Sequence, residues 1–489
     1  MNIPVIDPVT CSTCRACVGI CPVGAMRQLR REVVVDYGTC VSCGLCVQNC
    51  PTGAIIFPEK EEEASTAHEK VPTPKHLDRK FDLVICGAGI AGLCTALGAI
   101  NENPDLDILI LDKKRVIGED SNSSAGTWTF TLEMLPLEDE ERERVVLQRF
   151  TGFGLGTQKG WTVIRTEEPY LESLDLPALL RVLSKKLVAM GVRIETNTFV
   201  DSIKRGDGGF TLTAVSKGVS YDIRTRLFAD ASGVDTRPSR DLGMHLSWKP
   251  EVIGVGAEYE MGWKGDQETA WIIPIQYKGL GYAWVFPIGS GMARVGVAGL
   301  LTAFKERGLK LQEVLDGFIE EHPVVRENTG PESSRLAYKC GAYPIAGIAE
   351  DIMTDGALRV GDAAAQANPL LGEGIYYCIK NGLFAGQTLA RAKEGTEEEL
   401  KLYKDFVLSY AQKFEDDKLG FQLDFDAIID KLNENPDLLT PKERRVLLEY
   451  MMPVKPDWKT RITISKKLLG TKKTLAIFGS VMKRTAFGK

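Results

Sequence analysis

A run of cysteines, written twice, constrains this chain more than any other feature. Cys11-Ser-Thr-Cys14-Arg-Ala-Cys17-Val-Gly-Ile-Cys21-Pro22 returns as Cys40-Val-Ser-Cys43-Gly-Leu-Cys46-Val-Gln-Asn-Cys50-Pro51. A cubane iron–sulfur cluster needs four thiolates converging from several directions. The spacing C-x2-C-x2-C-x3-C-P supplies three from one tight loop and sends the fourth across to the other cluster. By that rule Cys11, Cys14, Cys17 and Cys50 hold one 4Fe-4S cluster, and Cys21, Cys40, Cys43 and Cys46 hold its partner. Gly24, Gly44 and Gly53 let the backbone come close to sulfide. Structural zinc usually takes separated cysteine pairs, which this triplet spacing is not. A disulfide scaffold fits no better, because MNIPVIDPVTC has neither the basic nor the apolar region of a secretory signal.

The first 58 residues resemble the bacterial-type two-cluster ferredoxins, with no ligand missing. The resemblance implies single-electron transfer at low potential and an external low-potential donor, such as another ferredoxin. A charged, aperiodic linker is expected over 59–80, reading EKEEEASTAHEKVPTPKHLDRK. The remainder of the 489 residues, 44% hydrophobic and 26% charged overall, is long enough for a large core. A net charge of −6 gives no reason to expect nucleic acid. The apolar stretch from Phe81 to Ile100 has the length of a membrane helix, but its glycines fit a buried strand, turn and helix better. A cytoplasmic location is expected.

That stretch carries Gly87-Ala-Gly89-Ile-Ala-Gly92, set between an apolar strand and a small-residue helix, with Asp112 twenty residues beyond. Gly87 makes the tight turn, Gly89 admits a pyrophosphate, Gly92 allows strand–helix packing, and Asp112 meets ribose hydroxyls. Two further segments favour FAD over a nicotinamide cofactor. Asp230 to Gly233 looks like the second nucleotide-contacting turn of FAD oxidoreductases. Gly361-Asp362 looks like their third, where the carboxylate meets the ribityl chain. Val200, at the end of a strand from Ile194, matches the position whose backbone meets adenine. A second G-x-G-x-x-G is missing from the sequence, so reductant is expected to arrive through the clusters. Alternating runs near 208–228, 251–260 and 270–298 predict an antiparallel sheet inserted between nucleotide-binding segments. Helices are predicted over 174–190 and 374–394.

From Phe81 to about Leu400 the chain resembles the geranylgeranyl reductase family of flavoproteins. Tyr282-Ala-Trp284-Val-Phe286-Pro287 is similar to the family's Y-x-W-x-F-P motif, which lines the substrate cavity. Asn368-Pro369-Leu-Leu-Gly372-Glu373-Gly374-Ile375-Tyr376-Tyr377 is similar to its N-P-L-x-G-E-G-I-Y-Y stretch beside the isoalloxazine ring. The resemblance implies an α/β Rossmann-type FAD-binding domain with an inserted antiparallel-sheet substrate domain over 81–400. The ferredoxin module precedes it and a helical region, 401–489, follows. It also implies a reductase of isoprenoid C=C bonds, with flavin hydride going to one carbon and a proton to the other. Gly372, Gly374 and Ile375 would then lie against the flavin.

The sequence departs from the family in the loop Gly118–Gly126, where family members often carry a Cys. Ser123, Ser124 or solvent would have to stand in for it. Cys340 reads as a buried small hydrophobe, with an approach to the cavity as its alternative. Between Pro453 and Lys489 ten Lys or Arg face the single acid Asp457. This tail fits either an anionic membrane surface or packing on the body. A different class of function stays open, that of the electron-transfer-flavoprotein:quinone oxidoreductases, which are electron conduits. A redox subunit of a larger complex is a third.

Overall fold

The computed structural model describes residues 3–7, 11, 17, 18, 21, 24–29, 32–40, 42, 44–48, 50, 54–57, 75–119, 123–157, 159–216, 219–244, 250–275, 281–329, 333–345, 351–368, 372–410, 425–449, 459–468 and 470. Cys14, Cys43, Gly53 and most of the linker lie outside them.

The N-terminal module has two antiparallel strand pairs, Val5–Ile6 with Ile55–Ile56 and Met26–Leu29 with Glu32–Val35. The first pair joins the two ends of the module, as a duplicated chain closing on itself should. All six described cysteines of the repeat gather in one small apolar cluster with Ala25, Met26, Val33 and Ile55.

The body is built around an 8-stranded sheet. Strand Lys75–Cys86 lies between Ile108–Leu111 and Val219–Asp230, parallel to both. Arg193–Glu195 extends the sheet on one side, and Ala357–Arg359 runs parallel to the end of Val219–Asp230. The helix Ile90–Glu102 covers one face and packs on Ile375–Arg391. Their backbones come very close, since a Cβ on Gly98 would sit 2.1 Å from the Leu383 carbonyl oxygen and one on Gly386 2.0 Å from that of Thr95. Small residues are therefore a packing requirement along this seam.

A 7-stranded sheet stands beside it, in the order Trp161–Arg165, Gly152–Gly156, Thr269–Ile275, Gly281–Gly289, Met292–Leu300, Ile253–Gly262 and Arg335–Pro344. Helices Leu301–Glu306, Leu311–Glu321 and Pro323–Asn328 bury one of its faces. The opposite face carries the aromatic residues and is covered by C-terminal helical residues.

Three sequence expectations need adjustment. The alternating run near 208–228 belongs to the 8-stranded sheet, where Thr198–Gly206, Gly209–Ser216 and Val219–Asp230 form an antiparallel meander. Alternation reports a half-buried strand but not which sheet it joins. The strand expected to end at Val200 is two strands, Arg193–Glu195 and Thr198–Gly206, broken at Asn197 with φ 52°. The first body strand begins at Lys75, inside the expected linker, and pairs Lys75 with Tyr221 and Lys80 with Arg224. The predicted helices are present as Leu176–Ala189 and Ile375–Arg391.

Candidate functional site

The glycine-rich turn at the end of Lys75–Cys86 makes a cradle. Gly87 has φ 111°, and a Cβ there would sit 2.3 Å from the Ala231 carbonyl oxygen. A Cβ on Gly92 would sit 1.9 Å from the oxygen of Gly87. Gly89 differs, since nothing lies within 4 Å of its Cβ direction. It caps Ile90–Glu102 with no side-chain hydrogen bond to the first-turn amides. Such a terminus attracts phosphate.

Asp112 sets the far edge of the cradle. Its Oδ2 accepts from the Ala88 amide at 2.6 Å and its Oδ1 from the Lys114 amide at 2.7 Å. Each oxygen keeps lone-pair capacity for a ribose hydroxyl. The Asp112 backbone bonds to Glu195 and Thr198, which brings Val200 and its strand to the same end of the sheet. Asp230 is used differently. Its carboxylate accepts from the amides and hydroxyls of Ser232 and Ser239, and buried Arg359 donates to the Ser239 hydroxyl. It therefore locks the 231–233 turn, which presents backbone toward Gly87. Gly233, with φ 73°, opens a short helical turn there.

Asp362 follows Gly361, which has φ 69° and abuts Ala91 and Cys378. Burial pushes the Asp362 carboxyl up to about 6. Its Oδ1 lies 4.0 Å from the Cβ direction of Gly374, the residue that caps Ile375–Arg391. The three segments expected to contact the nucleotide thus converge at one end of the parallel strands. An open helix N-terminus, a glycine cradle and two carboxylates are what a dinucleotide needs, so these residues fit FAD.

Beyond that end stands the aromatic wall. Tyr282, Trp284 and Phe286 alternate along Gly281–Gly289 and share one face, and Trp284 and Phe286 are buried. Pro287 is next, at a register shift against Met292–Leu300. The wall lies over glycines of neighbouring segments. A Cβ on Gly296 would strike Trp284 at 2.1 Å, and one on Gly126 would strike Phe286 at 2.8 Å. The Trp284 indole donates to Glu258 at 3.2 Å. Burial raises the Glu258 carboxyl, while Arg294 and Lys339 pull it down. Arg294 also donates to the carbonyls of Ser124 and Leu174, at 2.9 and 3.0 Å, and ties the Gly118–Gly126 loop to the wall.

Two groups that sequence reasoning passed over meet here. Tyr343 is hydrogen-bonded to Tyr282, and a Cβ on Gly372 would sit 3.0 Å from one ring and 3.1 Å from the other hydroxyl. It lies in the segment where Cys340 drew notice, but on the opposite face of the strand. Cys340 itself is buried with the helix-covered core, as a small hydrophobe. The second group is Glu373. Its Oε1 accepts from the Tyr376 amide at 2.8 Å and from the Thr127 hydroxyl at 3.2 Å. Its Oε2 is shielded from solvent and meets no hydrogen-bonding geometry among the described residues, with the Ile375 amide nearby, although the residue as a whole is only half-buried. Burial pushes this carboxyl up to about 7 against those donors. Ser123, a stand-in considered for the missing Cys, accepts from the Ala125 amide through its Oγ at 3.0 Å.

The cysteine module offers sulfur ligands in the right surroundings. The Ala25 amide points at Cys21 Sγ at 3.1 Å and the Ser42 amide at Cys40 Sγ at 3.4 Å. Backbone N–H groups aimed at sulfur stabilise thiolate. With Gly24 and Gly44 at φ 61° and 78°, the described residues fit an iron–sulfur ligand set.

Comparison with known proteins agrees. The family described as 4Fe-4S dicluster domain matches residues 10–54. Digeranylgeranylglycerophospholipid reductase 1 of Methanosphaera stadtmanae is 29% identical over 360 residues, 70% of this chain and 82% of that protein. Digeranylgeranylglycerophospholipid reductase 2 of Methanopyrus kandleri is 29% identical over 354 residues, 68% of this chain and 83% of that protein. Among solved structures, a geranylgeranyl bacteriochlorophyll reductase-like protein of Thermoplasma acidophilum superposes with a TM-score of 0.66 at 18% identity, over 82% of this chain and 99% of that one. A flavin-dependent brominase shares the same fold with a TM-score of 0.59, so fold alone does not select a reaction. In sequence the body of the chain is thus similar to digeranylgeranylglycerophospholipid reductases, in fold it is similar to a geranylgeranyl bacteriochlorophyll reductase-like protein, and its residues 10–54 match the 4Fe-4S dicluster domain.

Proposed function

We propose that this protein reduces isolated C=C bonds of an isoprenoid, geranylgeranyl-type lipid chain, with electrons passing through two 4Fe-4S clusters to FAD. The observation that carries the reading is the aromatic wall of Tyr282, Trp284 and Phe286 at the cradle's open end. An apolar polyprenyl chain has no group for a polar site to grip, and flat aromatic surface is what holds it. When bound, the clusters would supply single electrons and FAD would supply hydride chemistry. Gly87, Gly89, Gly92, Asp112, Val200, Asp230, Gly233, Gly361 and Asp362 would hold the dinucleotide. Gly372, Gly374 and Ile375 would bring the helix N-terminus to its ring. Cys11, Cys14, Cys17 and Cys50, and Cys21, Cys40, Cys43 and Cys46, would hold the clusters.

Hydride on one alkene carbon requires a proton on the other. In place of the loop thiol, Glu373 is suited to that task, since its carboxyl is held near neutral pH and stands beside Thr127 and the wall. Anaerobic reduction followed by addition of a geranylgeranyl lipid tests the whole reading. Flavin reoxidation with a gain of two mass units per reduced bond is expected. Flavin that stays reduced with prenyl lipids but reoxidises with a quinone would replace the reductase by an electron conduit.

A further inference from the structure

The two cysteine loops are repeats in spacing but not in what they carry between their second and third ligands. The first has Arg15-Ala16 and the second Gly44-Leu45. A cation and a methyl group suit a surface open to solvent, whereas glycine followed by leucine suits one to be buried. The second loop is the one the structure describes. Leu45 is 2% exposed and takes no part in the module's own apolar cluster. It belongs instead to the core of the 7-stranded sheet, with Ile253, Val255, Tyr259 and Val295. Gly44 adopts the left-handed conformation, with φ 78°, immediately before it. Ala365, three residues beyond Asp362, is a member of the same core.

We propose that Leu45 is the plug by which the module docks on the body, and that the ligand set Cys21, Cys40, Cys43 and Cys46 is the inner, electron-exit side. The set Cys11, Cys14, Cys17 and Cys50 then faces the external donor. Leu45 sits between Cys43 and Cys46, so burying it draws that loop onto the body. The apolar core it enters reaches Ala365 beside the proposed flavin segment. Electron tunnelling weakens steeply with separation, and an order of clusters follows from which loop is anchored. Two electrons, given singly by a low-potential one-electron donor and joined by one solvent proton, complete the two-electron reduction of flavin. This inference rests on the electron route proposed above, but not on the lipid.

The test uses the full-length protein with clusters and flavin, and the variants Leu45→Asp and Leu45→Ala. Flavin reduction by a reduced bacterial ferredoxin is expected to slow at least tenfold in Leu45→Asp and less in Leu45→Ala. Iron and acid-labile sulfide should stay at wild-type content, and amides of 253–262 and 293–300 should exchange faster with deuterium. Should Leu45→Asp not fold, Leu45→Ala gives the same two readouts at smaller amplitude. Wild-type flavin reduction in folded variants would overturn the proposal, as would slowed reduction with unchanged amide exchange. Failure of the lipid reading would show separately, as photoreduced wild-type flavin that prenyl lipids do not reoxidise.

Discussion

Glu373 and Glu258 show how one environment tunes two carboxyls on the aromatic side of the site. Burial raises the folded value of Glu373 to about 7, so the neutral form is favoured by folding. Its contribution is full below the ordinary value near 4.5 and is lost as pH rises toward about 7. Comparing Glu373→Gln with the parent by denaturant titration across that window should show the parent losing stability relative to the variant. If Glu373 gives the proton, lipid reduction should fall above about pH 7 in the parent, and be slow and without that fall in the variant. Trp284→Phe removes the indole donor from buried Glu258. It should cost about 1–3 kcal/mol in unfolding free energy, read from the urea midpoint. The expected cluster ligands come from spacing alone, and the six of them that are described do gather in one cluster. Glu373 was not legible in the sequence, because within the stretch Gly372-Glu373-Gly374 the glycines speak for backbone geometry and the burial of a side chain is set by distant Thr127. Tyr343 was obscured in the same way by its more reactive neighbour Cys340.

Among the elements, the seam between Ile90–Glu102 and Ile375–Arg391 bears most on the site, because it joins the first and last nucleotide-binding segments. Gly386→Val would drive methyl groups into the Thr95 carbonyl. The expected result is destabilisation of about 3 kcal/mol and weaker flavin retention, measured by thermal unfolding and flavin release. Both helices were expected, the first as a small-residue run after the glycine-rich turn and the second over 374–394, and each buries a broad face. Periodicity did not disclose the beginning of the first strand, because Lys75 to Lys80 reads as charged linker and becomes a strand only by pairing with Tyr221 to Arg224. The alternating run near 208–228 was assigned to the wrong sheet for a related reason. Strand partners are a tertiary property, and alternation along one strand does not name them.

The whole molecule joins two bodies whose stability has different origins. The module's apolar cluster is small and shared with its cysteines, so iron is expected to contribute much of its folding energy. The body has cores of its own. Anaerobic chelation of iron should therefore unfold the module while flavin and the body's thermal transition persist, which calorimetry would show as loss of one transition. At the C-terminus, Ile464 and Leu468 are 1% and 3% exposed against the aromatic-side core, and Lys467 pairs with Glu443 at 2.7 Å. The described part of the basic tail thus packs on the body, one of the two fates its sequence allowed. Among the described residues no helix is long and apolar enough to cross a membrane.

The contact between Arg391 and Glu102 spans 289 residues of sequence. A ribosome delivers the glycine cradle early and the helix that seals it late, so the nascent chain carries an open half-site through most of its synthesis. The cysteine module, whose own apolar cluster is local and whose Leu45 waits for the body, is free to gather its ligands first. Assembly of the two redox centres is then staggered by the order of translation, metal before flavin, and a ribosome stalled before residue 375 would hold a metallated chain unable to retain its nucleotide.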